Sequence, residues 1–187
     1  MNINLMEDLS EKQLRKIHYM IGNAFVSNEL FHEFGSTEER RPLVMKYMSA
    51  YVDYVYESKA LYCTDDGKGF IGLQYSENAQ VIPQLKMLWK IFMRIPFGKL
   101  KKMLGHISQI ADANRMYAER PHVDVLMVAV DKRAQGKSYA TKLIDFAKEF
   151  ARQKNVPLLV DTDMKSYAEM YRNLGSFFCP LVWLALT

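Results

Sequence analysis

The chain alternates long stretches of helical periodicity with short apolar runs. Ser10 and Gln13 have the spacing of a capping box, and Leu14, Ile17, Ile21 and Phe25 then recur as one face of a helix. A second helix is predicted from Glu38 to Tyr56, after a turn at Phe34-Gly35-Ser36. Ala60 to Thr64 and Phe70 to Tyr75 read as strands. They are joined by Asp65-Asp66-Gly67-Lys68-Gly69, a hairpin turn where glycine accepts positive φ. Leu85, Leu88, Phe92 and Ile95 keep helical spacing until Pro96 and Gly98 interrupt it, and a shorter helix is expected from Lys99 to about Asn114. Val123 to Val130 is apolar on both faces, which predicts a central strand covered from both sides. The loop Asp131 to Gly136 leads into a helix ending near Asn155, with Ala140, Leu143, Ile144, Ala147 and Ala151 as its buried stripe. Val156 to Asp161 reads as a strand and Ser166 to Leu174 as a short helix stopping at Gly175. The apolar tail Ser176 to Thr187 supplies a last strand.

The predicted order is α, α, β, β, α, β, α, β, α, β. The unit from Val123 to Asp161 is expected to be a right-handed parallel crossover, and the early hairpin antiparallel. An α/β fold follows, with a mixed sheet and helices on both faces. Its length of 187 residues suits one domain over 1–187. Composition adds limits. With 49% apolar and 25% charged residues the chain reads as globular, and no apolar run approaches a membrane span. The N-terminus, MNINLMEDLSEKQ, has acids where a signal peptide needs a basic start, so a cytoplasmic location is expected. Cys63 and Cys179 lie far apart, which argues against a disulfide scaffold and a zinc site.

Charge changes the picture in one segment. No acid lies between Glu77 and Asp112, while Lys86, Lys90, Arg94, Lys99, Lys101 and Lys102 all fall there. Without those six, the 25 basic residues drop to 19 against 21 acidic, so the basic character is local. Trp89, Phe92 and Phe97 interleave with it. A membrane surface or nucleic acid is one reading of such a window, and a solvated helix face is the plainer one.

The stretch richest in chemistry is Val128-Ala129-Val130-Asp131-Lys132-Arg133-Ala134-Gln135-Gly136-Lys137-Ser138-Tyr139-Ala140-Thr141. A buried strand feeds a loop that opens a helix, whose first-turn N–H groups and macrodipole favour phosphate oxygens. An ordinary capped helix is the alternative. The fingerprints of P-loop and Rossmann sites are missing. Gly136-Lys137-Ser138-Tyr139-Ala140 approaches a nucleophile elbow, but that motif needs a histidine after the serine, and the last one here is His122.

These residues resemble the GNAT N-acetyltransferases, whose motif Q/R-x-x-G-x-G/A follows an apolar-x-Val strand end. Here it reads Gln135-x-x-Ser138-x-Ala140 after Val128-Ala129-Val130, and Tyr171-Arg172-Asn173-Leu174-Gly175 looks like the family's Y-x-x-x-G-F. The specific match covers the last 65 residues, with agreement in element order before it. The resemblance implies a mostly antiparallel sheet in which the parallel strands near Val128 and Leu159 splay apart and hold acetyl-coenzyme A as acyl donor. The backbone of Val128, Ala129 and Val130 would pair with its pantetheine. Gln135, Gly136, Lys137, Ser138, Tyr139, Ala140 and Thr141 would hold its pyrophosphate, and an N–H near Val128 would polarise the thioester carbonyl. No metal is implied.

Tyr171 takes the family position of the acid that protonates the leaving thiolate, and a phenol of pKa about 10 suits that role. Asp161 and Asp163, at the end of the strand lining the acceptor site, are the candidate bases, although aspartates there also cap turns. Glu119, His122 and Asp124 flank the central strand as further candidates. Three departures stand out. Ser176 replaces the family's phenylalanine, with Phe177 and Phe178 following at once. Ser138 replaces a glycine, at a cost of about 1–2 kcal/mol if the backbone there is left-handed. Twelve residues follow Gly175, fewer than the family's last two strands need, which leaves room for a strand from a second copy in a homodimer. The leading expectation is an N-acetyltransferase moving acetyl from acetyl-coenzyme A to a primary amine, on a small molecule or a peptide, in a ternary complex. No nucleic-acid partner and no stable membrane insertion are expected, and the basic segment would wall the acceptor site. One rival is a module that binds acyl-coenzyme A without turnover. The other is a surface adaptor working through the basic window.

Overall fold

A computed structural model describes residues 1–105, 119–161 and 181–184. Its strands are β1 (Ile3–Leu5), β2 (Leu61–Thr64), β3 (Gly69–Tyr75), β4 (Val123–Val130), β5 (Leu158–Asp161) and β6 (Leu181–Leu184). Its helices are α1 (Glu11–Phe25), α2 (Thr37–Glu57), α3 (Val81–Arg94), α4 (97–105) and α5 (Tyr139–Lys154). The six strands form one sheet in sequence order. β1 to β4 are antiparallel, while β4–β5 and β5–β6 are parallel. The fold is therefore α/β with a mixed, mostly antiparallel sheet. β1 and the 3-10 turn Glu29–Phe34 are additions to the predicted order. The predicted helix at 166–174 and the predicted Lys99 helix beyond residue 105 lie outside the described residues.

Local chemistry accounts for the helix boundaries. Ser10 and Gln13 form a complete capping box on α1, and Ser36 and Glu39 form another on α2. α5 ends at Asn155, whose φ of 55° puts it in the left-handed region typical of a helix stop.

The sheet separates two apolar layers. On one face α1, α2, α3 and α4 pack through Ile21, Val44, Val52, Ile91 and Met103 onto Leu61, Phe70 and Met127. On the other, Leu143, Ile144, Ala147 and Ala151 of α5 cover Ile71, Leu73, Val123, Leu158 and Val160. The stripe read from α5 is thus its buried face, apart from Ala140, which is half-buried. Gly72 lets α2 approach closely, since a Cβ there would stand 3.1 Å from Val55 Cγ1.

β4 is not a regular strand. Val123 and Val125 face α5, and so do Val128 and Val130, but Leu126 and Met127 both face the α1–α2 layer. The register with β3 slips at the same point, Gly72 pairing with Met127 and Leu73 with Val125. Leu126 is the extra residue of a β-bulge, a device that re-aims a strand beside a site.

Candidate functional site: an open helix start beside an open strand edge

The β4–β5 pairing runs from Val123–Leu158 to Val125–Val160 and stops at the bulge. Beyond it, β4 is bonded on its β3 side only, among the described residues. The Asp131 amide donates to Lys68 O at 2.8 Å, so in an antiparallel ladder Ala129 also turns its N–H and C=O to β3. Val128 and Val130 therefore aim theirs at the open edge. The Gln135 side chain reaches back to the outward Val130 carbonyl, with Nε2 3.5 Å away.

The loop after β4 is anchored at three points. The Asp131 carboxylate accepts from the Arg133 amide at 2.8 Å, Ala134 is buried, and Ala134 N donates to Asp131 O. The chain then turns through two left-handed residues, Gly136 (φ 76°) and Ser138 (φ 61°). Ser138 thus holds the backbone that glycine favours, and its hydroxyl makes no capping bond. The first intrahelical bond of α5 is Lys142 N to Ser138 O, which leaves the amides of Ser138, Tyr139, Ala140 and Thr141 without helical acceptors. No acid lies in the first turn, Lys137 precedes it exposed, and the space beside Gly136 is open. An uncapped, acid-free helix start next to open backbone is the arrangement a pyrophosphate with an extended amide chain requires.

The hairpin turn supports this loop from the side. The Tyr139 hydroxyl donates to the Asp66 carboxylate, which also accepts from Thr64 Oγ1 at 2.7 Å and Lys68 Nζ at 3.0 Å. These bonds, Tyr139 foremost, hold the Asp66 carboxyl well below the usual carboxylate range. Gly69 is needed here, because a Cβ would lie 3.2 Å from both Tyr139 and Leu143.

A second polar group sits just before the bulge, on the α2 face. His122 Nε2 stands 3.2 Å from Asp124 Oδ2, and His122 Nδ1 stands 2.6 Å from Arg120 O. A carbonyl accepts only, so Nδ1 is the donor in that contact and Nε2 is the ring nitrogen turned to the carboxylate. His122 is locked further by its amide donating to Ser76 Oγ at 3.0 Å. Asp124 pairs across the sheet with Gln74, whose Oε1 accepts from Tyr54 of α2 at 2.6 Å. Burial raises the Asp124 pKa against the opposing pull of His122. The side chain of Asp124 is 39% exposed while that of His122 is 8% exposed, so the carboxylate meets solvent and the imidazole backs it.

Of the residues singled out from the sequence, Val128 to Thr141 run from the open edge of β4 into the start of α5, with Ala129 and Ala134 buried, and His122 and Asp124 lie at the start of the same strand. Asp161 ends β5, in register with Leu184. Asp163 and Tyr171 lie outside the described residues. Sequence reasoning missed Gln74 and Tyr54, which join Asp124 only through the sheet and α2. Cys63 is buried and its thiol is pushed up to about 12 by that burial, which leaves no thiolate for acyl transfer there.

Residues 95–175 match the model of the acetyltransferase (GNAT) family, a span that includes β4, the loop, α5 and β5. That match supports membership of the GNAT superfamily, and with it acetyl transfer as the general chemistry. A solved structure described as the crystal structure of acetyltransferase is similar at 16% identity. The similarity covers 94% of this chain and 88% of that one, with a TM-score of 0.45. No curated protein matches the chain.

Proposed function

We propose that this protein is an N-acetyltransferase that takes acetyl from acetyl-coenzyme A and passes it to a primary amine by direct attack. The observation that carries the reading is the uncapped, left-handed start of α5 lying against the open edge of β4 beyond Leu126. The amides of Gly136 and of Ser138 to Thr141, with the Gln135 and Lys137 side chains beside them, hold the pyrophosphate, while the Lys137 amide bonds Ala134 O. Val128 and Val130 pair with the pantetheine, and Ala129 keeps the strand on β3.

The amine nitrogen bonds to the thioester carbonyl carbon, the carbon–sulfur bond breaks, and the proton lost by nitrogen passes to a base. Tyr171 is the donor to the leaving sulfur. Asp124 is the base that the geometry favours: its carboxylate is partly exposed just before the bulge, and His122 Nε2 holds it in place at 3.2 Å. Asp161, the last residue of β5, and Asp163 after it are the competing carboxylates. The acceptor is an amine that enters on the α2 side of the sheet, and the reaction needs no metal.

The test is release of coenzyme A thiol from acetyl-coenzyme A in the presence of a panel of small amines and peptides. Wild type turns over with at least one acceptor. Asp124→Asn loses about 10²-fold in kcat, and Asp161→Asn loses far less. Equal losses in the two variants would move the base to β5. Tight binding of acetyl-coenzyme A with no thiol release from any amine would favour a binding module, the reading that the left-handed Ser138 also suits.

A further inference from the structure

The segment between β3 and β4 carries a face that the proposed reaction does not use. α3 is held to the body by a narrow line, Pro83, Ile91 and the following Ile95, all buried. Lys86 and Lys90 strengthen that line through ion pairs with Glu57 (2.9 Å) and Asp53 (2.8 Å) of α2. The opposite face of α3 is apolar and exposed. Ile82, Leu85, Trp89, Phe92 and Met93 lie along it at spacings of three and four, with Ile82 69% and Trp89 66% exposed. Phe97 of α4, also 66% exposed, extends the face by an edge-to-face contact with Phe92 at 6.3 Å. A contiguous exposed patch of large apolar side chains marks an interaction surface.

Charge selects what it meets. From 78 to 111 the chain has no acid, and Arg94 and Lys101 are exposed with no carboxylate partner among the described residues. A second copy docked face to face on the same patch would bring two acid-free, cationic surfaces together. An anionic bilayer complements them while its interface accepts tryptophan and phenylalanine. We propose that the exposed face of α3 and Phe97 docks this protein on the surface of an anionic lipid membrane, with α3 lying in the interface plane and spanning nothing. The inference stands apart from the acetyltransferase reading, since none of its residues serves the donor site.

Sedimentation with vesicles tests it. Full-length protein is expected to sediment with vesicles of equal parts phosphatidylcholine and phosphatidylserine, less with phosphatidylcholine alone, and less as salt rises. Replacing Leu85, Trp89 and Phe92 together by serine should lower the vesicle partition coefficient at least about tenfold. The melting temperature should stay unchanged, because all three side chains are exposed. The proposal is overturned if wild type stays in solution with the anionic vesicles, or if the triple variant partitions like wild type. It is equally overturned if light scattering shows lipid-free wild type to be a dimer that the triple variant cannot form, which would make a second copy the occupant.

Discussion

Ser36 and Ser138 are the same residue at the same position of two helices, and they do opposite things. Ser36 has an extended backbone, its hydroxyl accepts from the Glu39 amide, and the Glu39 carboxylate accepts in return from the Ser36 amide and hydroxyl. Glu38 and Glu39 add negative charge where the α2 macrodipole is positive. Ser138 is left-handed, makes no capping bond and is followed by Tyr-Ala-Thr with no acid. The start of α2 is closed by its own side chains, and the start of α5 is left open. The left-handed strain is already present in the free protein, so its cost falls on folding and hardly at all on donor binding.

The largest effect belongs to the group beside the open edge. Asp124→Asn is expected to lower turnover about 10²-fold without lowering the melting temperature. The sign follows from burial: a carboxyl whose pKa is raised on folding stabilises only below its unfolded pKa, and loses that contribution as pH rises through the folded value. At neutral pH its charge is a burden on the fold, and removing it is neutral or stabilising. In wild type, kcat/KM should fall on acidification as the Asp124 carboxylate takes up a proton, beginning above the ordinary aspartate range because burial raises its pKa.

The two caps come next. Ser36→Ala should cost about 1 kcal/mol and Ser138→Ala close to nothing, because only Ser36 makes capping bonds. Thermal unfolding separates them by about 2–4 °C for a chain of this size. Equal losses would erase the contrast. Ser138→Gly sharpens it from the other side: relief of the left-handed strain, less the entropy of glycine in the unfolded chain, should raise stability by up to about 1 kcal/mol.

The smallest effect is at the hairpin. Asp66 has its pKa lowered on folding, so its stabilising contribution is present above the unfolded carboxylate pKa and disappears as pH falls through the depressed folded value. Asp66→Asn should therefore melt slightly below wild type at neutral pH and converge with it in strong acid. A pH series of melting curves checks this.

The same contrast explains what the sequence could reveal. Capping at Ser10, the hairpin turn and the α5 stripe are local, so residue spacing exposes them. Periodicity also found the helix containing Leu85, Leu88 and Phe92, but spacing does not say which face is buried. The structure leaves those three exposed and buries Pro83 and Ile91, with Lys86 and Lys90 on the α2 side paired to its acids. The bulge at Leu126 was hidden because β4 is apolar on both faces, and a slipped alternation among valines, leucine and methionine leaves no trace. β1 has three residues, too few for a pattern. Gln74 and Tyr54 are 20 residues apart, yet they meet at a 2.6 Å hydrogen bond, a contact that only the packing of α2 on the sheet creates.

The central claim is that the open start of α5 holds the donor's pyrophosphate. Calorimetric titration of acetyl-coenzyme A into wild type, Gly136→Asp and Gly136→Asn tests it most directly, since aspartate and asparagine both tolerate a left-handed backbone and differ by one charge. One site is expected in wild type, weakening by about tenfold or more in Gly136→Asp, and a much smaller change in Gly136→Asn. No binding to wild type at millimolar ligand, or the same affinity in all three proteins, would contradict it.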